Sequence, residues 1–217
     1  MLIVTIDGPA GSGKSTVARR VARELGLPFL DTGAMYRGVT LCFLENFVEP
    51  KETEKIETLL KTLDLTFHGD HLYLSGRDVS EEIRFPEVSQ QVSRYAALPE
   101  VRKHLVTLQR QQAREPGLVA EGRDMGTVVF PQADFKFFLI ASPEERARRR
   151  HGELHEKDAL SRISYEEVLS NIVERDSLDS SRKESPLRKA SDALEVDTTS
   201  LTIDEVVKCL IASIAPS

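Results

Sequence analysis

The sequence predicts an α/β fold of three layers around a five-stranded parallel sheet, carrying a small antiparallel insert. Three observations lead there. Short β-rich apolar runs alternate with amphipathic helical stretches, which is the order of a parallel sheet with helical crossovers. A glycine-rich segment stands between the first such run and the first helix. One hairpin pattern interrupts the alternation, and because hairpins are foreign to a series of parallel crossovers it reads as an insertion.

The elements follow in order. Leu2 to Ile6 is a strand buried on both faces, stopped by Asp7-Gly8-Pro9. From Lys14 to Leu25, Val17, Ala18, Val21, Ala22 and Leu25 fall at helical spacing, and Gly26 ends the run as a C-cap. Pro28 to Leu30 is a second strand, Asp31-Thr32-Gly33 a polar turn, and about Met35 to Glu45 a helix. Lys51 to Leu63 is amphipathic through Ile56, Leu59, Leu60 and Leu63.

Leu65-Thr66-Phe67 and Leu72-Tyr73-Leu74 then flank His68-Gly69-Asp70-His71 as a hairpin, and Ser75-Gly76-Arg77-Asp78 supplies a further turn. Helices from Pro86 to Ala97 and from Pro99 to Arg114 each open on a proline, which the first helical turn tolerates. Gly117 to Ala120 and Phe135 to Ala141 are buried strands. Pro143 opens a basic helix, Tyr165 to Asp176 is helical, Ala193 to Val196 is the last strand, and Thr202 to Ile214 the last helix.

A chain of 217 residues with 40% hydrophobic and 29% charged residues has the composition of one globular domain with small insertions. A net charge of −6 argues against a general nucleic-acid binder, so any anionic ligand must meet a local basic site. Cys42 and Cys209 lie far apart without CxxC spacing and read as reduced thiols of a cytoplasmic protein. The opening Met1-Leu2-Ile3-Val4 lacks the basic start of a signal peptide. The apolar run Phe137 to Ala141 is far short of the roughly 20 residues of a membrane helix.

Gly8-Pro9-Ala10-Gly11-Ser12-Gly13-Lys14-Ser15 fits the phosphate-loop pattern G-x4-G-K-[ST], between a strand and a helix as its mechanism requires. Consecutive backbone N–H groups make an anion nest, and the helix N-terminus adds partial positive charge. The loop therefore predicts ATP binding through Gly8 to Thr16. Lys14 is expected to reach the β- and γ-phosphates and the Ser15 hydroxyl to coordinate Mg²⁺, with Thr16 the weaker metal candidate. The loop alone does not name a reaction. A GTPase would carry Asn-Lys-x-Asp, and neither Asn46 nor Asn171 is followed by lysine.

Arginine is concentrated at Arg37, Arg102, Arg123, the cluster at 146 to 150, Arg175 and Arg182. A planar guanidinium binds phosphate bidentately and stabilises charge spread over a transferring group. Glu121-Gly122-Arg123-Asp124-Met125-Gly126 directly follows a strand, at the sheet edge where parallel α/β folds bind ligands.

Three blocks carry a family resemblance: Ile6 to Ser15, Leu30-Asp31-Thr32-Gly33-Ala34-Met35-Tyr36-Arg37, and Glu121 to Pro131. On these the chain resembles the bacterial cytidylate kinases over nearly its whole length. The resemblance implies a core of residues 1–58 and 96–217, a nucleoside-monophosphate-binding insert at 59–95, and a lid at 146–162. It implies that Thr32, Arg37 and Arg123 hold the phosphate of CMP or dCMP. Ser93, Arg102 and Asp124 would face cytosine, and Arg175, Asp179 and Arg182 would reach the acceptor nucleotide, Asp179 nearest the sugar. Lys14, Arg123 and the lid arginines, Arg146 and Arg150, would neutralise the transferring group. The same resemblance implies a monomer with ATP and CMP as its partners, while the charge, the short apolar runs and the cysteines read as a cytoplasmic protein that binds neither nucleic acid nor a membrane.

The chemistry of the base agrees with that assignment. Cytosine presents an amino donor and a ring-nitrogen acceptor, and uracil reverses both. The Asp124 carboxylate accepts from the amino group and Arg102 donates to the acceptors. Phosphoryl transfer to an acceptor that is already a phosphate oxyanion needs no general base. His151 and His155, at helical spacing but in the order His-Gly-Glu-Leu-His, read as a solvated lid face rather than a metal pair. Two other classes stay open at this point: a small kinase with another acceptor such as UMP or an alcohol metabolite, and a nucleotide-dependent switch ATPase.

Overall fold

The computed structural model describes residues 1–157 and 163–214, so the end of the expected lid, 158–162, lies outside the described residues. Two compact units are formed: Met1–Phe29 with Arg114–Ser217, and Leu30–Ala113. No described helix is long and apolar enough to cross a membrane.

The first unit is built on the parallel sheet. The sheet's strands are β1 (Leu2–Asp7), β2 (Phe29–Asp31), β6 (Gly117–Gly122), β7 (Phe135–Ile140) and β8 (Leu194–Asp197), in the order β2-β6-β1-β7-β8, and all but the edge strand β2 lie wholly in this unit. β1 lies between β6 and β7, with Asp7 beside Gly122 on one side and Phe138 on the other. This central place explains the unbroken apolar run of β1, in which Val4 and Ile6 are fully buried. The five parallel strands are those that the alternation predicts.

Helices α1 (Lys14–Leu25) and α8 (Ile203–Ile214) close over this sheet. Val17, Ala18, Val21 and Ala22 join Val206, Val207, Leu210 and Ile214 in one core with Val4, Phe137 and Leu139. Gly26 ends α1 at φ 65°, its N–H directed to the last carbonyls of the helix, as the C-cap reading requires. A second cluster, Ala147, Val168 and Ile172, joins α6 (Pro143–Lys157) to α7 (Tyr165–Ser181). A reciprocal capping box between Ser164 and Glu167 starts α7. The helix runs five residues beyond the expected Asp176, because Ser177 to Ser181 contains neither glycine nor proline to stop it.

The second unit holds α2 (Thr32–Glu45), α3 (Thr53–Thr62), α4 (Pro86–Ala96), α5 (Pro99–Gln112) and a three-stranded antiparallel sheet of β3 (Leu65–His68), β4 (His71–Leu74) and β5 (Arg77–Asp78). Two details differ from the sequence reading. Helix α2 begins at Thr32, since the Asp31 carboxylate accepts from the Ala34 N–H at 2.8 Å and caps the helix where a turn was expected. Ser75-Gly76 alone makes the second turn, both residues at positive φ (51° and 77°), which suits a two-residue hairpin and releases Arg77 and Asp78 to pair with Leu74 and Tyr73. Leu72, Leu74, Val79, Ile83 and Ala34 form the core beneath this sheet.

Candidate active site

The phosphate loop is shaped by close backbone approach. A methyl group on Gly8 would stand 2.2 Å from the Leu139 carbonyl oxygen, so no larger residue fits between β1 and β7. Gly13 at φ 80° is the N-cap of α1 and makes no side-chain capping bond to its first N–H groups. The Ser12 hydroxyl is buried, without a hydrogen-bond partner among the described residues, and faces Gly8 across the loop. An orphaned hydroxyl among converging amides fits a phosphate oxygen.

Lys14 Nζ donates to the Pro9 carbonyl at 3.1 Å and lies 4.0 Å from Glu121 Oε2. Ser15 Oγ donates to Glu121 Oε1 at 2.7 Å. Glu121 sits at the end of β6, next to β1 in the sheet, and is buried. The phosphate-loop pattern predicts Mg²⁺ at Ser15; Glu121, which that pattern does not include, stands beside it. A hydroxyl and a carboxylate at the mouth of a phosphate loop are the hard oxygen donors that Mg²⁺ takes, so these residues fit the ion. A carboxylate closing a strand beside the phosphate-loop strand was the available signal. Thr16 is exposed on the first turn of α1.

Helix α6 brings arginine to the same loop. Buried Arg146 donates from Nη1 to the Ala10 carbonyl at 3.0 Å and pairs with Asp176. The other Asp176 oxygen accepts from the Ala10 N–H at 3.4 Å. Arg149 Nη1 donates to Thr198 Oγ1 at 3.1 Å and would be 3.8 Å from a methyl on Gly13. Arg150, expected to act beside Arg146, pairs with Glu153 at 3.0 Å. The arginines next to the loop are thus Arg146 and Arg149, three apart on one helical face. His151 and His155 do meet, their Nε2 atoms 3.1 Å apart, but no group of three potential ligands occurs among the described residues.

Beyond β6 lies a second basic centre. Arg123 Nε donates to Asp179 Oδ2 at 2.8 Å, and Arg182 Nη1 is 3.6 Å from Asp179 Oδ1. Burial alone would raise the Asp179 carboxyl, yet Arg123, Arg175 and Arg182 together hold it below the ordinary carboxylate range. Burial likewise works against the Arg123 charge, and Asp179 with Glu121 more than restores it. Arg123, Arg175 and Arg182 all act on the Asp179 carboxylate, and a planar guanidinium is the side chain that binds phosphate bidentately. Asp124 is buried directly after Arg123.

Four expected residues belong to the second unit. Thr32 is buried in the first turn of α2, and a methyl on Gly33 would come 3.3 Å from Arg37 Nη1, so the Arg37 guanidinium folds back to that helix N-terminus. The Asp31 carboxylate lies at the same 3.3 Å from that position, so the Arg37 guanidinium and the capping carboxylate flank the same turn. Arg102 on α5 is buried, its guanidinium 5.2 Å from the Tyr36 ring centroid and donating to the Ala96 carbonyl at 3.1 Å. Ser93 is half-buried on α4. Cys42 and Cys209 are free thiols, Cys42 half-buried and Cys209 exposed.

A parallel sheet with its phosphate loop after the central strand, and arginine centres on the adjoining segments, defines a P-loop kinase. Solved structures agree on the fold: a shikimate kinase from Bacteroides thetaiotaomicron matches at a TM-score of 0.50 and 14% identity, covering 98% of each chain. Among curated sequences the similarity is much higher. The cytidylate kinase of Fusobacterium nucleatum is 50% identical over 206 residues, covering 95% of this chain and 94% of that one. That of Carboxydothermus hydrogenoformans is 52% identical over 212 residues, covering 96% and 95%. The family model for cytidylate kinase matches residues 4–216, and this chain belongs to that family.

Proposed function

We propose that the protein transfers the γ-phosphoryl group of ATP to CMP and dCMP, giving ADP with CDP or dCDP. The observation that carries this is the Arg123–Asp179 centre on the segment after β6, beside the strand that feeds the phosphate loop. An oxygen of the acceptor phosphate forms the new bond to the γ-phosphorus while the bond to the β-phosphate oxygen breaks. The acceptor oxygen is already anionic near neutral pH, so positioning and charge stabilisation account for the catalysis.

In this reading the loop Gly8 to Thr16 cradles the donor phosphates, and Lys14 follows charge onto the β- and γ-oxygens. Mg²⁺, when bound, neutralises those oxygens, and Ser15 with Glu121 would hold it. Arg123 and the α6 arginines, Arg146 with Arg149 or Arg150, stabilise the transferring group. Thr32 and Arg37 take the acceptor phosphate with Arg123. Ser93, Arg102 and Asp124 read cytosine, and Arg175, Asp179 and Arg182 hold the nucleotide, Asp179 at the sugar. Residues 59–95 serve as the acceptor insert, with the lid at 146–162. Family likeness supports a cytoplasmic monomer.

Coupled assays with CMP, dCMP, UMP and AMP test this. CMP is expected to exceed UMP by up to about 10⁴ in kcat/KM, since uracil would leave Asp124 and Arg102 unpaired or opposed. Equal use of UMP would remove the base-reading assignment. Phosphate release independent of CMP as the main turnover would instead make the protein a switch ATPase.

A further inference from the structure

Asp7, the last residue of β1, has no part in the reading above. Its carboxylate is buried and reaches across to the segment after β6: Oδ1 accepts from the Met125 N–H at 2.9 Å and Oδ2 from the Gly126 N–H at 2.8 Å. These N–H groups open a single π-helical turn, Met125–Val129, in which the Val128 and Val129 N–H groups return to the Asp124 carbonyl. The first N–H groups of any helical turn lack partners within it, and an aspartate at the N-cap ordinarily supplies one from its own side chain. Here Asp124 is the N-cap, and its side chain makes no capping bond. Asp7 performs that task from the neighbouring strand, so capping does not consume the Asp124 carboxylate.

We infer that Asp7 is a positioning residue for acceptor selection: by capping the Met125–Gly126 turn it sets the orientation of Asp124 and Arg123, and it ties them to the strand that enters the phosphate loop. This rests on Asp124 reading the base. The position is costly for a carboxylate. Burial pushes Asp7 up to about 7 despite the Gly126 and Met125 N–H groups and Arg123, and Asp124 adds repulsion. An apolar residue would avoid that cost but would leave two buried N–H groups unsatisfied.

The test is Asp7→Asn, which keeps one acceptor and loses the other at nearly constant volume. Steady-state kinetics with CMP, UMP and ATP are compared with wild type, and thermal melting is recorded alongside. The expected result is a fall of about tenfold or more in the CMP-to-UMP ratio of kcat/KM, with the KM for ATP within about threefold of wild type. A lowered melting temperature with an unchanged CMP-to-UMP ratio overturns the inference and leaves Asp7 a purely structural residue. If the Asn variant does not fold, Asp7→Ser retains an acceptor with less bulk and is read in the same way; failure of both to fold also overturns it. Wild type separates the two claims. Absence of a CMP preference there removes the base-reading assignment itself, whereas a preference kept in both proteins removes only the role of Asp7.

Discussion

Arg123 donates from Nε to Asp179 Oδ2 at 2.8 Å, linking the segment after β6 to helix α7 through a buried ion pair. Two further arginines, Arg175 and Arg182, act on the same carboxylate. For Arg123→Ala, kcat/KM for CMP is expected to fall by about 10²–10³ while the affinity for ATP changes only a few-fold. Acceptor titrations at saturating ATP measure the first and equilibrium ATP binding the second. Unaltered CMP kinetics would take Arg123 out of the site.

The 2.7 Å bond from Ser15 Oγ to Glu121 Oε1 makes a different prediction. Glu121→Gln preserves an oxygen acceptor for Ser15 and removes the charge. Turnover is expected to drop about 10²-fold, with the Mg²⁺ concentration for half-maximal rate rising about tenfold. Mg²⁺ titration of the coupled assay checks it, and an unchanged metal dependence would assign Glu121 to Lys14 alone.

Lys14→Ala should lower turnover by about 10³-fold, because the ammonium follows charge that develops on the transferring phosphate. CMP binding, measured by calorimetry, is expected to persist. Comparable loss of CMP binding would show that the substitution disturbs more than the donor phosphates.

The depressed Asp179 carboxyl has a consequence for stability. Its folded-state value lies below its unfolded value, so its contribution is fully present above about pH 4 and is lost as pH falls through the folded value. The melting temperatures of wild type and Asp179→Asn are therefore expected to differ most above pH 5 and to converge between about pH 4 and pH 2. A constant difference across that range would contradict the ionic role of Asp179.

The strands and most helices were legible because a strand covered on both faces must be apolar throughout, and a helix on a sheet must be apolar on one stripe. The phosphate loop was equally legible, since its residues are contiguous and Gly13, at φ 80° just before Lys14, answers a local backbone requirement. Where the reading differed, the deciding bond was small in sequence terms. Asp31 caps its own helix and moves the start of α2 to Thr32. Ser75-Gly76 turns within two residues and creates β5.

By itself, the sequence determined the parallel sheet, the phosphate loop and the family blocks, all written in contiguous residues whose periodicity or spacing reflects local geometry. Tertiary structure alone decided which distant groups meet. Ser15 with Glu121, Arg146 with Asp176, Arg123 with Asp179, and Asp7 with the Met125–Gly126 turn are each separated by 30 residues or more. No local pattern encodes such pairs, because they arise from the strand order that places β1 against β6 and β7 and from the packing of α6 on α7.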